Sequence, residues 1–315
     1  MAETRENVQT ANNVAKTEPS KKRVKVGFIF LAFLPTAVLL MIQSVSQIPF
    51  IFLAFADMMK GETDVTSLDG AMDASQALMK IFSEKYAFYA YLIYAAIGLT
   101  VFSIWYYKGF VKKNPKVKFS QVFGVKSILA SVGMIIGFYF AINAALILID
   151  QLLPELMESY TKLMETAGLG SNDIITIVYA IALGPVLEEL VYRGVTFGLL
   201  EKAGIRPGLI ILISGLLFGL VHMNPVQSTY AAILGFMLGF LRYKYRSIKI
   251  TILGHFLLNV TGTYGEQLLH SFGLSNAIYL ILGGIALFVI VFCVVLVNGD
   301  KKAYKASNSG TEQLN

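Results

Sequence analysis

Residues 26–56 read VGFIFLAFLPTAVLLMIQSVSQIPFIFLAFA and contain no charged side chain. A helix needs about 20 apolar residues to cross a bilayer, whereas the apolar run of a cleaved signal peptide has only about 7–15. These residues therefore predict a retained membrane helix. The helix is long enough to tilt, or to bend at Pro35 or Pro49.

The rest of the chain has the same apolar character. Of its 315 residues, 56% are hydrophobic and 15% are charged, against roughly 25% charged in a soluble domain. This composition excludes a disordered chain and argues against a soluble globular one. Further apolar runs lie at residues 86–107, 127–149, 174–200, 207–241 (split in two at 223–225), 250–264 and 271–298. The predicted fold class is all-α: a polytopic integral membrane helical bundle with about eight transmembrane helices.

The distribution of Lys and Arg predicts the orientation of these helices. If the N-terminus is cytoplasmic, the cytoplasmic segments hold 21 basic residues and the opposite loops hold 4. We therefore expect both termini to be cytoplasmic. The formal net charge of +6 follows mostly from this bias. It gives no indication of nucleic acid binding and favours membrane lipids with anionic headgroups as partners.

We expect five regions along the chain. They are a polar cytoplasmic tail (1–25), helices 1–3 with acidic outer loops (26–173), a core of helices 4–7 (174–262), a final transmembrane helix (263–298) and a second polar cytoplasmic tail (299–315). Residues 71–82 and 151–166 predict short surface helices in the outer loops. A single cysteine, Cys293, excludes a disulfide framework. The spacing of Gly215/Gly219 and Gly235/Gly239 indicates close helix contact within the chain.

Every ionisable side chain predicted at membrane depth lies in the core region. Such charges are costly, so each is a functional hypothesis. Glu189 and Arg193 are four residues apart and can pair on one helix face, while Glu188 points about 100° away and is left for chemistry. The set comprises Glu188, Glu189, Arg193, His222 and His255, with Asn259 as a nearby amide.

The helical hairpin around Gly204 and Pro207 predicts that Glu188 and His222 lie at similar depth and face each other. His255 and Asn259 are four residues apart on one face of the seventh helix. A carboxylate and a neutral imidazole can take a proton from water. A second imidazole and an amide can donate hydrogen bonds to a developing oxyanion. The four side chains together suit attack of water on an amide carbonyl.

A metal site is the alternative use of the same residues. Glu188, His222 and His255 can serve as three ligands of Zn²⁺ that leave one position open for water. The metal would then lower the pKa of that water. The cofactor prediction is therefore none or zinc, and neither arrangement needs a Ser or Cys nucleophile.

Three motifs carry a resemblance to a known family. LGPVLEELVYRG at residues 183–194 resembles the EExxxR motif of the CAAX-protease and bacteriocin-processing family of intramembrane proteases. FGLVH at 218–222 resembles its FxxxH motif, and HFLLN at 255–259 resembles its HxxxN/D motif. The resemblance covers about residues 174–262. One departure is the segment Tyr245-Arg246-Ser247-Ile248, which lacks the Thr-Gly-Ser turn of many members.

The resemblance implies a type II CAAX prenyl endopeptidase-like enzyme with a site open to the cytoplasm. Its substrate would be a membrane-associated or lipidated protein or peptide. By analogy Glu188 is the general base with His222, His255 and Asn259 hold the oxyanion, and Glu189 and Arg193 support the site. Both a metalloprotease mechanism and a metal-free glutamate mechanism have been proposed for this family.

Two other functions compete with hydrolysis. A non-proteolytic protein of the same fold would act as a bacteriocin immunity factor or a signalling scaffold. A transporter is disfavoured because the sequence has no inverted-repeat signal. The expected location is a multi-pass protein of a bacterial cell membrane, or of the endoplasmic reticulum if the chain is eukaryotic. The oligomeric state is left open.

Overall fold

The computed structural model describes residues 24–60, 68–112, 117–166 and 177–301, and these residues form helices and no strand. The all-α prediction is therefore confirmed. The α-helices are Val26–Leu31 (α1), Leu34–Met58 (α2), Leu68–Ile81 (α3), Ala87–Tyr106 (α4), Phe119–Val122 (α5), Val125–Leu152 (α6), Pro154–Thr166 (α7), Gly184–Glu189 (α8), Phe197–Lys202 (α9), Pro207–Leu220 (α10), Pro225–Tyr245 (α11), Ile248–His270 (α12) and Asn276–Asn298 (α13). Four wider turns are π-helical: Phe82–Tyr86 (π1), Tyr107–Val111 (π2), Tyr179–Leu183 (π3) and Leu190–Thr196 (π4).

Four helical stretches within the described ranges are long and apolar enough to cross a membrane. They are Val26–Met58, Met72–Val111, Val125–Leu152 and Asn276–Asn298. Helix α10 is apolar but shorter. The chain is thus an integral membrane protein by composition, while the predicted count of eight spans is not confirmed and stays a prediction.

The first apolar stretch, Val26–Met58, is interrupted by a turn near its start. A turn at Ala32 and Phe33 separates α1 from α2, and Pro35 occupies the first turn of α2. Proline is tolerated there because the first N–H groups of a helix have no partner within it. Pro49 lies inside α2. Residues 71–82 and 151–166, predicted as short surface helices, are helical, but only α7 is a separate helix: α3 continues through π1 into α4, and Met72–Val111 is one of the four long apolar stretches. The tilt, or the bend at Pro35 or Pro49, stays a prediction. The predicted tails lie outside the described residues, apart from 24–25 and 299–301.

Helices α10 and α11 form a tight hairpin. Asn224 begins α11, and its side-chain oxygen accepts hydrogen bonds from the backbone N–H groups of Val226 and Gln227, as an N-cap residue does. A Cβ atom at Gly219 would lie 2.5 Å from the Ser228 carbonyl oxygen, and one at Gly235 would lie 2.7 Å from the Cα atom of Gly215. The glycines therefore permit close backbone contact, which confirms the predicted helix contact within the chain.

The helical segment that carries the EExxxR motif lies at the centre of the molecule. It runs from α8 through π4 into α9, and every residue from 189 to 200 is buried. Helices α2, α4, α10 and α12 pack around π4. A helical segment enclosed on all sides is apolar around its circumference, which explains why the few polar groups on it need partners from neighbouring helices.

Contacts at one end of the bundle join the segments that the basic-residue count assigned to the cytoplasm. The Lys25 N–H donates to the Ala203 carbonyl at 3.0 Å, and the Lys202 ammonium donates to the Gly109 carbonyl at 3.0 Å. The Tyr245 hydroxyl donates to a carboxylate oxygen of Asp300 at 3.1 Å. These segments therefore share one end of the molecule.

Contacts at the opposite end join the predicted outer loops. Asp57 accepts hydrogen bonds from the Lys85 ammonium at 3.2 Å and from the Tyr86 hydroxyl at 2.9 Å. The Tyr160 hydroxyl of α7 lies 3.3 Å from the Tyr230 hydroxyl of α11. The grouping of segments agrees with the predicted alternation, and the side of the membrane that each end faces stays a prediction.

Candidate active site

Glu189 and Arg193 form an ion pair in the centre of the bundle. The Arg193 Nη1 atom lies 2.8 Å from Glu189 Oε1, and both side chains are fully buried. The predicted pairing is therefore present. Two opposite charges without access to water offset each other's desolvation, and removal of either would leave the other uncompensated.

His255 lies between the two adjacent carboxylates. Its Nδ1 atom is 3.1 Å from Glu189 Oε1, and its Nε2 atom is 3.6 Å from Glu188 Oε2. An ionised carboxylate only accepts hydrogen bonds, so the hydrogen of a neutral imidazole lies on Nδ1 and the lone pair lies on Nε2. The distance of 3.6 Å exceeds a direct hydrogen bond. Glu188 and the imidazole lone pair therefore face each other without a bond between them.

Glu188 differs from its neighbour in exposure. Its side chain is 26% exposed, whereas that of Glu189 is 0% exposed. No ion pair with Arg193 involves Glu188 in the described part of the chain. The difference follows from the helix geometry, since consecutive side chains point about 100° apart. Glu188 is the accessible carboxylate of the site.

His222 contacts the Phe218 ring, which His255 also contacts. Its Nδ1 atom lies 2.9 Å from the Phe218 carbonyl oxygen, so Nδ1 donates and Nε2 is left as an acceptor. The His222 and His255 rings lie 5.3 and 5.5 Å from the Phe218 ring, each edge to face. The Arg193 guanidinium lies 4.5 Å from the same ring centre. Phe218 thus contacts three of the predicted site residues.

His255 is the ion-pair partner that Glu188 has among the described side chains, at 3.6 Å. No hydrogen bond or ion pair joins Glu188 to His222 among these side chains, and their predicted facing stays a prediction. The hairpin argument fixes only depth along the two helices, whereas the direction of each side chain depends on the rotation of its helix about its axis.

Asn259 is bound to the backbone. Its Nδ2 atom donates to the Ala180 carbonyl of π3 at 2.7 Å. A side-chain amide has two N–H donors, so one donor is occupied by this bond and the second is left for a ligand. Asn259 therefore also connects α12 to the helical segment that precedes Glu188.

The candidate zinc ligands do not assemble into a metal site in this arrangement. Within the described ranges, no three His, Cys, Asp or Glu side chains are grouped so that they could hold a metal ion. A zinc site needs at least three protein ligands at about 2 Å from the metal. Glu188, His222 and His255 as placed here do not fit that requirement, and the zinc prediction stays a prediction.

Tyrosines near Glu188 were not selected from the sequence. Tyr91 and Tyr179 are stacked with ring centres 5.0 Å apart, and Tyr94 lies 6.4 Å from Tyr179. Helix α4, which carries Tyr91 and Tyr94, and π3, which carries Tyr179, both contact α8, which carries Glu188. The second predicted span, residues 86–107, has no charged side chain, so no site residue was predicted in it. The spacing of Tyr91 and Tyr94 on one helix face was the available signal.

A buried arginine was also missed. Arg242 is 6% exposed, and its Nε atom donates to the Arg193 carbonyl at 3.1 Å. In the sequence it is one of the four basic residues of a predicted cytoplasmic segment, 242–249, and no local pattern distinguishes it from the other three.

Comparison with known proteins matches the segment that holds this site. Residues 170–261 match the family model described as "Type II CAAX prenyl endopeptidase Rce1-like". This part of the chain is similar to the Rce1-like family. The Rce1-like segment contains all six predicted site residues, Glu188, Glu189, Arg193, His222, His255 and Asn259, and also Arg242. The family resemblance inferred from the three motifs is confirmed.

One curated relative matches over part of its length. "Putative membrane peptidase YdiL" of Bacillus subtilis (strain 168) is 31% identical over 86 residues, which is 27% of this chain. The match spans about a third (34%) of that relative. No solved structure matches the chain at a significant level.

Proposed function

We propose that the protein is an intramembrane endopeptidase that hydrolyses a peptide bond of a membrane-associated or lipidated protein or peptide. The observation that carries this proposal is the accessible Glu188 carboxylate facing His255 Nε2 at 3.6 Å inside the Rce1-like segment. The relative named as a membrane peptidase adds support.

The proposed reaction begins with a water molecule at Glu188. The carboxylate accepts one proton of this water as the oxygen attacks the carbonyl carbon of the substrate. His222 Nε2, which is an acceptor in the neutral ring, can orient the same water. The attack gives a tetrahedral intermediate with a negatively charged oxygen. The second N–H of Asn259 is a candidate donor to this oxyanion.

Breakdown of the intermediate needs a proton on the leaving nitrogen. The proton taken by Glu188 can pass to His255 Nε2, which then becomes an imidazolium stabilised by the Glu189 carboxylate. Donation of that proton to the leaving amine breaks the C–N bond and restores both side chains. A protonated His255 can also donate to the oxyanion before that step, as the sequence motif implies. The arrangement favours His255 as a proton carrier over a role as a neutral donor.

The proposed location is a multi-pass protein with both termini in the cytoplasm. The bacterial relative favours a bacterial cell membrane. The grouping of residues near 25, 109, 203, 245 and 300 at one end supports a shared cytoplasmic face. The substrate would then approach from the cytoplasm or from the adjacent membrane leaflet. Membrane lipids and the substrate are the proposed partners.

The deciding experiment compares purified wild type with Glu188→Gln on lipidated and unlipidated peptides. We expect cleavage by the wild type, and a loss of roughly a hundred- to ten-thousandfold in kcat for Glu188→Gln, since a general base contributes about 10²–10⁴. The matched control is Glu158→Gln on α7, outside the site, which should cleave normally. Normal cleavage by folded Glu188→Gln would contradict the assignment of the base.

A second arm tests the metal. Each protein is assayed with and without a zinc chelator, followed by re-addition of zinc. Retained wild-type activity would support the metal-free mechanism. Loss that zinc restores would assign a ligand role to Glu188, His222 and His255. Absence of wild-type cleavage on every peptide would count against hydrolysis itself.

A further inference from the structure

A second polar network lies beside the site and contains none of the motif residues except Arg193. Its centre is Arg242 in the last turn of α11, which is 6% exposed. Burying a guanidinium is costly unless its N–H groups find partners. Its Nε atom donates to the main-chain oxygen of Arg193, 49 residues earlier in the chain, at 3.1 Å. The buried Arg242 guanidinium thus binds the backbone carbonyl of Arg193.

The remaining contacts of Arg242 connect it to α9. Its Nη2 atom lies 3.8 Å from Glu201 Oε2, and its guanidinium carbon lies 5.2 Å from the Phe197 ring centre. The other carboxylate oxygen of Glu201 pairs with Arg246. One carboxylate therefore binds two arginines that lie four residues apart at the end of α11. We name Glu201, Arg242 and Arg246 the arginine clamp.

Arg246 occupies a conformation that side chains rarely adopt. Its φ is 52°, in the left-handed region that favours glycine. Arg246 ends α11 in this conformation, and its side chain pairs with Glu201. This ion pair therefore joins the end of α11 to α9.

The clamp acts on a segment with unusual backbone geometry. Arg193 lies in π4, and single π-helical turns within α-helices occur frequently at functional sites. The main-chain oxygen of Arg193 is bound by Arg242, while its side chain is bound to Glu189. Glu189 in turn contacts His255, which faces Glu188. A continuous series of contacts thus runs from the clamp to the accessible carboxylate.

We infer that Arg242 is a positioning residue for the hydrolytic site, which acts by fixing π4 through the Arg193 carbonyl, with its guanidinium paired to Glu201 and Glu201 held in turn by Arg246. This inference rests on the proposed function, since it assigns a role in the same site. Arg242 touches neither water nor substrate in this role. Its effect is on the orientation of Glu189 and His255.

The first test is kinetic. Arg242→Met removes the donor and the charge at similar length, and Arg242→Lys keeps a charge and one donor group. We expect KM for the peptide to be unchanged and kcat to fall roughly ten- to hundredfold in Arg242→Met, with Arg242→Lys between it and wild type. The matched control is Lys244→Met, which removes a basic residue from the same turn outside the clamp and should cleave normally. Rates are divided by the folded fraction of each sample.

The second test does not depend on cleavage. Hydrogen exchange of the full-length protein in detergent should be faster across residues 190–202 in Arg242→Met, roughly ten- to hundredfold, and unchanged in α6. Wild-type exchange across 190–202 would overturn the inference, as would a kcat loss that merely follows the folded fraction. If the wild type cleaves no peptide, the proposed function fails and the exchange result alone decides whether the clamp fixes π4.

Discussion

Two neighbouring glutamates have opposite surroundings in this protein. Glu189 is fully buried against Arg193, and Glu188 keeps 26% of its side chain exposed. The difference needs only one step along a helix, which turns the side chain by about 100°. Glu189 thus compensates the charge of Arg193, and Glu188 is left for chemistry. Substitution by Gln should therefore lower stability at Glu189 and activity at Glu188.

Glu189→Gln should destabilise the protein by about 3–5 kcal/mol, because it leaves the Arg193 guanidinium buried without its counter-charge. Thermal unfolding in detergent measures this, with Glu188→Gln as the neighbouring comparison, which should shift the transition little. Glu189→Gln combined with Arg193→Met should recover much of the loss, because no buried charge then remains. An unchanged transition in Glu189→Gln alone would show that the ion pair does not stabilise the fold.

Local spacing predicted the part of the site that depends on one helix. Residues 189 and 193 pair because four residues separate them, and that holds wherever the helix packs. The contact between Glu188 and His255 was not predictable in the same way. It depends on the rotation of α12 about its axis and on the extra residue in π4, neither of which leaves a periodic signal. Arg242 was missed because its charge suggested a surface position.

At the scale of helices, the glycines of the α10–α11 hairpin set where Phe218 and His222 lie. Gly219 follows Phe218 directly and lies against the backbone of α11, where a Cβ atom would come within 2.5 Å of the Ser228 carbonyl oxygen. Backbone cannot move aside as a flexible side chain can. The hairpin therefore holds both aromatic residues at a fixed distance from α11.

Gly219→Ala should therefore separate the two helices and cost about 1–3 kcal/mol, together with a loss of activity as His222 moves. The matched control is Gly208→Ala in the same helix, where an added Cβ meets nothing within 4 Å. That control should keep wild-type stability or gain about 0.5–1 kcal/mol from reduced chain entropy. Thermal unfolding and peptide cleavage of both variants are the measurements. Equal behaviour of the two variants would contradict the role of Gly219.

Helix boundaries followed from the sequence where a turn residue marked them. Asn224 and Pro225 predicted the start of α11, and Pro35 predicted the break between α1 and α2. The π-helical turns had no such marker. Their backbone widens without proline or a glycine requirement, so the composition there is the same as in the flanking α-helix.

At the scale of the molecule, segments distant in sequence gather at two ends. The end that joins residues near 25, 109, 203, 245 and 300 is rich in basic residues, and the other end joins Asp57 to Lys85 and α7 to α11. Counting Lys and Arg was enough to predict this grouping, because it depends only on the alternation of loops. Within the described ranges, four helical stretches are long and apolar enough to cross a membrane, and the count of eight stays a prediction.

Single cysteines test the predicted sides of the membrane. In a Cys293→Ser background, Lys60→Cys should react with a membrane-impermeant maleimide in intact cells. Lys112→Cys and Lys301→Cys should react only after permeabilisation. All three positions are exposed, and the Cys293→Ser background contains no other cysteine, so the background label is low. Equal labelling of Lys60→Cys and Lys301→Cys in intact cells would contradict a cytoplasmic C-terminus.

The extra residue in π4 makes the site sensitive to chain length as well as to residue identity. A π-helical turn takes up an extra residue by widening, so one further residue inserted between Arg193 and Phe197 would not be absorbed and would rotate everything beyond it by about 100°. Glu201 would then turn away from Arg242 and Arg246, although all three motifs would be intact. Among descendants of this sequence, a one-residue insertion at this place would therefore be selected against more strongly than most substitutions nearby. Homologues with one more residue in this interval should lack the Glu201 carboxylate, because it would have no arginine to bind.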